Sequence, residues 1–215
     1  PAVTSLAENG QPDIVPEVWK NSATIYDELE ASGKVITASN VFANGGEEGW
    51  WIPTSLAEKH PELKIIDGVL ANPELVGSRF HNCPVGWGCR IVNDNLKVVY
   101  QLEANGIEVF DHGFGANLRA SSAAAFANNE PWFGYYWNPT SMVGKYDLQA
   151  VDFGVPYAGA DNWNNCIMLP DEQCANPKKS AWTKSEVNSL VSANFSKTGG
   201  KDVLSYVEKR TYPGP

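Results

Sequence analysis

Residues 83–89 read Cys-Pro-Val-Gly-Trp-Gly-Cys. Two cysteines bracket five residues, and three of those five are Gly or Pro. The chain must turn tightly here, because Gly supplies backbone angles other residues avoid and Pro fixes its own. A Cys83–Cys89 disulfide would close the loop. Trp87 stands between Gly86 and Gly88, so its sequence neighbours cannot pack its indole, and bare backbone N–H groups lie beside it. Such a loop either presents an indole or folds it back into a core. Two further tryptophans stand where a strand gives way to a turn. Trp19 ends Asp13-Ile-Val-Pro-Glu-Val-Trp19, and Trp137 precedes Asn138-Pro139. Indole faces are electron-rich, so a box of them attracts a cation with no hydrogen to donate, above all a quaternary ammonium, at about 2 kcal/mol per desolvated contact. One such tryptophan alone is more often a core residue. Three at loop edges favour a box, and eight Trp in 215 residues is an excess that needs a cause.

The surrounding elements must deliver these rings. Residues 1–9 read as a helix stopped by Gly10, and Asp13–Trp19 as a strand. Asn21–Ser32 reads as a helix ended by Gly33, followed by short strands at Val35-Ile36 and Val41-Phe42. Thr54 is expected to cap a helix over Ser55–Lys59, and helices are expected over Asp94–Asn105 and Ala116–Asn128. Ile107–Phe110, Trp132–Trp137 and Leu148–Val155 read as strands. Residues 156–182 read as a long polar loop stapled by Cys166–Cys174, and Lys184–Ala193 and Lys201–Glu208 as helices. Strands alternating with helices predict an α/β layered architecture with largely parallel sheets. In open sheets of that kind, ligands bind at the carboxyl ends of strands, where these tryptophans fall.

Composition narrows the classes. A net charge of −9 argues against nucleic acid and against docking on anionic membranes. No run of about 18 apolar residues exists, so no membrane span is expected. The four cysteines form two close pairs without metal spacing, and His60, His81 and His112 are scattered, so two local disulfides in an oxidising compartment are expected rather than zinc. The chain lacks an initiator Met and a signal peptide, and reads as a processed or trimmed product. No cofactor is expected. No G-x-S-x-G, H-E-x-x-H or P-loop occurs, so no such motif points to an enzyme.

The three tryptophan stretches resemble the periplasmic substrate-binding proteins of ABC importers for glycine betaine, choline and related trimethylated amines. Asp13–Trp19 is similar to the family's first box tryptophan, Cys83–Cys89 to its disulfide loop with the helix Asn93–Leu102 behind it, and Trp132–Thr140 to its third aromatic segment. The resemblance implies two α/β lobes joined by two crossing segments: residues 1–50 plus 152–215, and residues 51–151. It also implies that a strand–helix unit of the family is missing at the N-terminus, leaving the first lobe incomplete. It implies permease subunits as partners, a periplasmic or otherwise extracytoplasmic location, and a binding protein rather than an enzyme.

The same resemblance gives the ligand's polar end a seat. Family members that bind betaine hold its carboxylate with backbone N–H groups of the Gly-Cys after the loop tryptophan, here Gly88 and Cys89. A histidine that some add four residues after the first tryptophan is replaced by Ala23. Glu47 and Glu48 precede Trp50-Trp51, and a carboxylate beside the box would repel betaine. It would suit a ligand that donates a hydrogen bond: choline, or trimethylamine N-oxide protonated on oxygen. The expected order is trimethylamine N-oxide, then choline, with glycine betaine behind both. Trp50 or Trp51 is expected to close the box as a fourth wall.

A secreted carbohydrate-binding or carbohydrate-cleaving protein is the competing class, since sugars also stack on Trp. Glu47, Glu48, Asp111 and Glu130 are its candidate carboxylates, but no motif pairs them across a bond as a glycosidase requires. In the loop 156–182, Asp161, Asn162, Asn164, Asn165 and Asp171 offer oxygen ligands for Ca²⁺, although their spacing matches no calcium loop and a solvated loop is the favoured reading.

Overall fold

The structure is a computed structural model that describes residues 2–215; Pro1 lies outside the described residues. The chain divides into two compact units. Unit 1 takes residues 1–46 and 184–215, and unit 2 takes Glu47–Thr183.

Unit 1 is built on a three-stranded sheet of order β1-β8-β2. Its strands are β1 (Ile14–Trp19), β2 (Val35–Asn40) and β8 (Val187–Ser192). Helices α1 (Ala2–Asn9) and α2 (Tyr26–Ala31) flank β1, and a final helix covers Lys201–Glu208. Both neighbours pair with β8 antiparallel. Pro16 is tolerated because β1 is an edge strand, and the ladder shifts register between Val15 and Val18. The Pro16 carbonyl accepts from the Ser189 hydroxyl at 2.8 Å. A small core of Leu6, Val15, Val18, Tyr26, Val35 and Leu190 fills one face.

The expected helix over Lys184–Ala193 is instead strand β8. All six of its residues are buried, polar and apolar alike. Its polar side chains are not solvated but bonded within the unit: Asn188 Nδ2 donates to the Tyr26 hydroxyl at 2.8 Å. A central strand is buried on both faces, so it lacks the alternation that marks an exposed one, and its β-branched Val187 and Val191 fit the pleat.

Unit 2 holds a five-stranded sheet of order β5-β4-β6-β3-β7. Its strands are β3 (Glu47–Pro53), β4 (Arg79–His81), β5 (Glu108–Phe110), β6 (Gly134–Asn138) and β7 (Leu148–Ala150). β4 runs parallel to β5 and β6, whereas β3 is antiparallel to β6 and β7. The α/β class stands, but instead of being largely parallel the unit 1 sheet is antiparallel and the unit 2 sheet is mixed. Parallel neighbours need a covering crossover, which α5 (Gly88–Val99) supplies between β4 and β5. Short helices α3 (Thr54–Lys59) and α4 (Ile66–Ala71) follow β3, α6 (Gly115–Ala127) precedes β6, and α7 (Ser141–Tyr146) follows it. The Thr54 side chain does not cap α3, whose cap position is Pro53.

Residues 152–183 pack on unit 2: the Tyr100 hydroxyl donates to the Phe153 carbonyl, and Asn95 donates to the carbonyls of Ile167 and Leu169. Trp163 and Ile167 lie within the unit 2 core. The loop expected over 156–182 carries helical turns at Ala160–Asn162 and Trp163–Ile167. No described helix is long and apolar enough to cross a membrane.

Candidate functional site

Both expected disulfides are formed, Cys83–Cys89 with Cα atoms 6.0 Å apart and Cys166–Cys174 with 4.5 Å. The first loop turns where expected. Gly86 adopts φ of 85°, open to glycine at little cost, and the Trp87 N–H bonds back to the Pro84 carbonyl. Helix α5 begins at Gly88, six residues earlier than the composition suggests, so the second cysteine sits in its first turn and Trp87 is its N-cap. Trp87 is therefore presented rather than folded back: 39% of its surface is exposed.

Trp137 meets it. The two rings stand edge to face, with centroids 5.5 Å apart and planes at 71°. Trp137 is itself backed by Tyr136, stacked at 4.8 Å, and by Tyr135 at 6.0 Å. An edge-to-face pair of this kind is a favoured aromatic geometry. It gives two indole faces at a corner, braced from behind.

Glu48 belongs to the same sheet face. It lies opposite Trp137 in the β3–β6 ladder, and directly opposed residues in an antiparallel pair point to the same side. Glu48 is only 6% exposed, and its Oε1 accepts from the Tyr135 hydroxyl at 2.8 Å. Burial first, and the Glu48 charge second, push the Tyr135 hydroxyl well above its ordinary pKa, so it stays a proton donor. Glu47 points the other way, and Asn138 donates to it at 3.3 Å.

A polar lattice fixes the loop behind Trp87. Trp50 Nε1 donates to Asn93 Oδ1 at 2.9 Å, and Asn93 Nδ2 donates to Asn82 Oδ1, which also accepts from the Cys83 N–H. Arg90, one residue after the loop, bonds Asp94 and forks onto both oxygens of Asp111. The Asp111 carboxylate, weighed for sugar cleavage, is thus committed to Arg90.

Trp50, an expected candidate for the fourth wall, lies in the core of unit 2. It is 0% exposed, enclosed by Phe80, Tyr100, Phe133 and Phe153, and it centres the unit 2 core. Trp51, 4% exposed, donates to the Tyr136 carbonyl at 2.9 Å. Adjacent strand residues point to opposite faces, so the burial of both rings shows that β3 is covered on both faces. Trp182 is an aromatic neighbour that the sequence reading passed over: it lies 6.0 Å from Tyr135 and 5.2 Å from Trp163. Its position in a polar loop hid it, and only the general excess of tryptophan pointed that way.

Trp19 belongs to unit 1. Its ring lies 6.2 Å from Phe42, its Nε1 donates to Glu17 at 2.8 Å, and its six-membered ring packs closely on Gly46, which has no side chain to keep it off. Gly46 is bridged to Ser185 by a pair of backbone hydrogen bonds, each 2.8 Å long. Among the described residues, no group of three or more His, Cys, Asp or Glu could hold a metal ion, and Asp161 and Asp171 are not gathered into one. Asn162 instead exchanges two hydrogen bonds with the backbone of Lys178.

Among solved structures, the fold is similar to the glycine betaine, L-proline ABC transporter binding protein ProX from Borrelia burgdorferi. That match has 16% identity and a TM-score of 0.67, covering 98% of this chain and 67% of that one. It is similar also to an ABC-transporter choline binding protein in complex with choline, at 17% identity and TM-score 0.64, covering 98% and 64%. Lactococcal OpuAC in its closed-liganded conformation with glycine betaine matches at 17% and 0.64, covering 98% and 69%. The chain thus spans about two thirds of the length of these structures, and at such identities they establish the two-lobe binding-protein fold alone. No curated protein sequence matches the chain. The family model for the substrate binding domain of ABC-type glycine betaine transport systems matches residues 1–213, and the chain belongs to that family.

Proposed function

We propose that this protein is the extracytoplasmic binding component of an ABC importer and captures a small trimethylated amine on its tryptophans. Trimethylamine N-oxide or choline is placed ahead of glycine betaine. The observation that carries this reading is the corner made by Trp87 and Trp137, half open and braced by Tyr135 and Tyr136. A trimethylammonium group has no N–H to recognise. A site selects it by shape, by apolar contact with the methyls and by the ring quadrupole acting on its charge. Two indole faces at 71° offer all three.

The chemistry beside the corner bears on the polar end of the ligand. Glu48 sets a carboxylate on the Trp137 side of the sheet, which adds attraction for the cation and disfavours a second carboxylate nearby. Gly88 and Cys89 open α5, and the first N–H groups of a helix have no partner within it, so they favour an oxygen of negative character. An N-oxide or hydroxyl oxygen uses such donors without bringing a full carboxylate near Glu48. Trp19 enters the proposal from the sequence, as an indole of unit 1 whose contribution is measured separately. The permease subunits of the importer are the proposed partners.

Titration calorimetry with trimethylamine N-oxide, choline, glycine betaine and a panel of neutral sugars tests this reading. Binding of at least one trimethylated amine with no sugar response is expected. Sugar binding with no response to any amine would overturn it.

A further inference from the structure

We infer that Gly115 is a positioning residue for the ligand site, the seat that fixes the plane of the Trp87 indole; this rests on the binding reading above. Gly115 is the first residue of α6. A Cβ placed on it would lie 2.8 Å from Trp87 Cζ2 and 2.9 Å from Cη2. Real side chains do not approach so closely, so the outer edge of the six-membered ring fits only because this residue has no side chain.

Neither partner can simply move aside. The Trp87 loop is closed by Cys83–Cys89 and held by Asn82, whose side chain accepts from the Cys83 N–H at 2.7 Å. The segment leading into α6 is tied on two sides. Asp111 is held by the Arg90 fork, and His112 Nε2 lies 2.8 Å from His81 Nδ1 on β4. The His112 carbonyl also accepts from the Asn117 side chain and the Phe114 N–H. Because Arg90 follows Cys89 directly, the fork links the disulfide loop to the segment that carries Gly115. A methyl at position 115 is therefore relieved most cheaply by rotating the indole, and the rotation changes its edge-to-face angle with Trp137. The seat acts on the ligand only through that ring.

The test is a set of five variants read by calorimetry, with trimethylamine N-oxide, choline and glycine betaine as probes. Gly115→Ala is expected to weaken binding about 3- to 30-fold, the loss of part of one desolvated cation–π contact. Trp87→Phe lacks the outer ring atoms that collide, so adding Gly115→Ala to Trp87→Phe is expected to cost less than twofold. That double variant also reports if Gly115→Ala alone fails to fold. Gly144→Ala is the control, since a Cβ there meets nothing within 4 Å; it should bind as the parent does. The near-ultraviolet circular dichroism of Gly115→Ala should change without a matching fall in melting temperature. The inference is overturned if Gly115→Ala binds as the parent does, or if its loss persists in full beside Trp87→Phe. If Trp87→Ala itself binds every amine as tightly as the parent, the binding reading and the seat both fall. If Trp87→Ala weakens binding and Gly115→Ala does not, only the seat falls.

Discussion

Glu48 and Trp137 face each other across the β3–β6 ladder, a buried carboxylate beside an indole of the candidate site. Replacing Glu48 by Gln keeps an acceptor for the Tyr135 hydroxyl and removes the charge. Binding of choline or trimethylamine N-oxide should weaken by about 10-fold, the scale of one hydrogen bond to a charged group. Glycine betaine should bind unchanged or better. Calorimetry on the folded variant decides it, and an equal change for all three ligands would sink the carboxylate argument.

Trp87→Ala and Trp137→Ala each remove a wall and its ring potential. A loss of about 1.5–3 kcal/mol, or about 10- to 150-fold in affinity, is expected for either. Phe at the same positions should lose less, because shape survives while the quadrupole weakens. Trp19→Ala, measured alone, shows whether the unit 1 indole contributes.

Trp50 should behave as a core residue. Trp50→Ala is expected to cost about 3–5 kcal/mol of stability in a denaturant titration. Trp50→Phe keeps most of the packing but leaves Asn93 Oδ1 without its donor, at about 1–3 kcal/mol. A Trp50→Phe variant that loses affinity with full stability would return this ring to the site.

The His81–His112 pair predicts an acid-sensitive fold. Burial first, then His112 and Arg79, push the His81 pKa down to about 3 from 6.5, and His112 is lowered in the same direction, chiefly by burial. The unfolded chain therefore takes up protons between pH 6.5 and 3 that the folded chain refuses. Stability is fully present above pH 6.5 and falls as the pH drops toward 3. The melting temperature followed across that range should decline, and His81→Phe should flatten the decline while keeping a ring against Trp132. A profile identical in the variant would remove His81 from the explanation.

Reduction of Cys83–Cys89 should weaken ligand binding before it unfolds the protein, because its direct effect is on the loop that carries Trp87. Binding and melting measured over a reductant series check this. Loss of structure at or before the loss of binding would contradict it.

The disulfide loop and its tryptophan were legible because Gly, Pro and Cys act locally: they dictate a turn whatever surrounds it. The site residues that depend on pairing were less so. Glu48 was singled out for its charge, but its burial follows from lying opposite Trp137, and ladder register is not written in either strand alone. Trp50 and Trp51 read as candidate walls because nothing local says that β3 is a central strand. β8 reads as a helix from sequence for the same reason: its Asn and Ser look solvent-facing until Tyr26 and Pro16 supply partners more than 160 residues away.

The place of β8 has a consequence for the order in which the molecule is made. During synthesis from the N-terminus, β1 and β2 emerge first, yet the strand that lies between them arrives only after all of unit 2. The contiguous Glu47–Thr183 stretch can close its own core while β1 and β2 still wait with open edges. Nascent unit 1 is thus the half that needs shielding from other chains, and a ribosome halted before Val187 leaves a finished half tethered to an unfinished one.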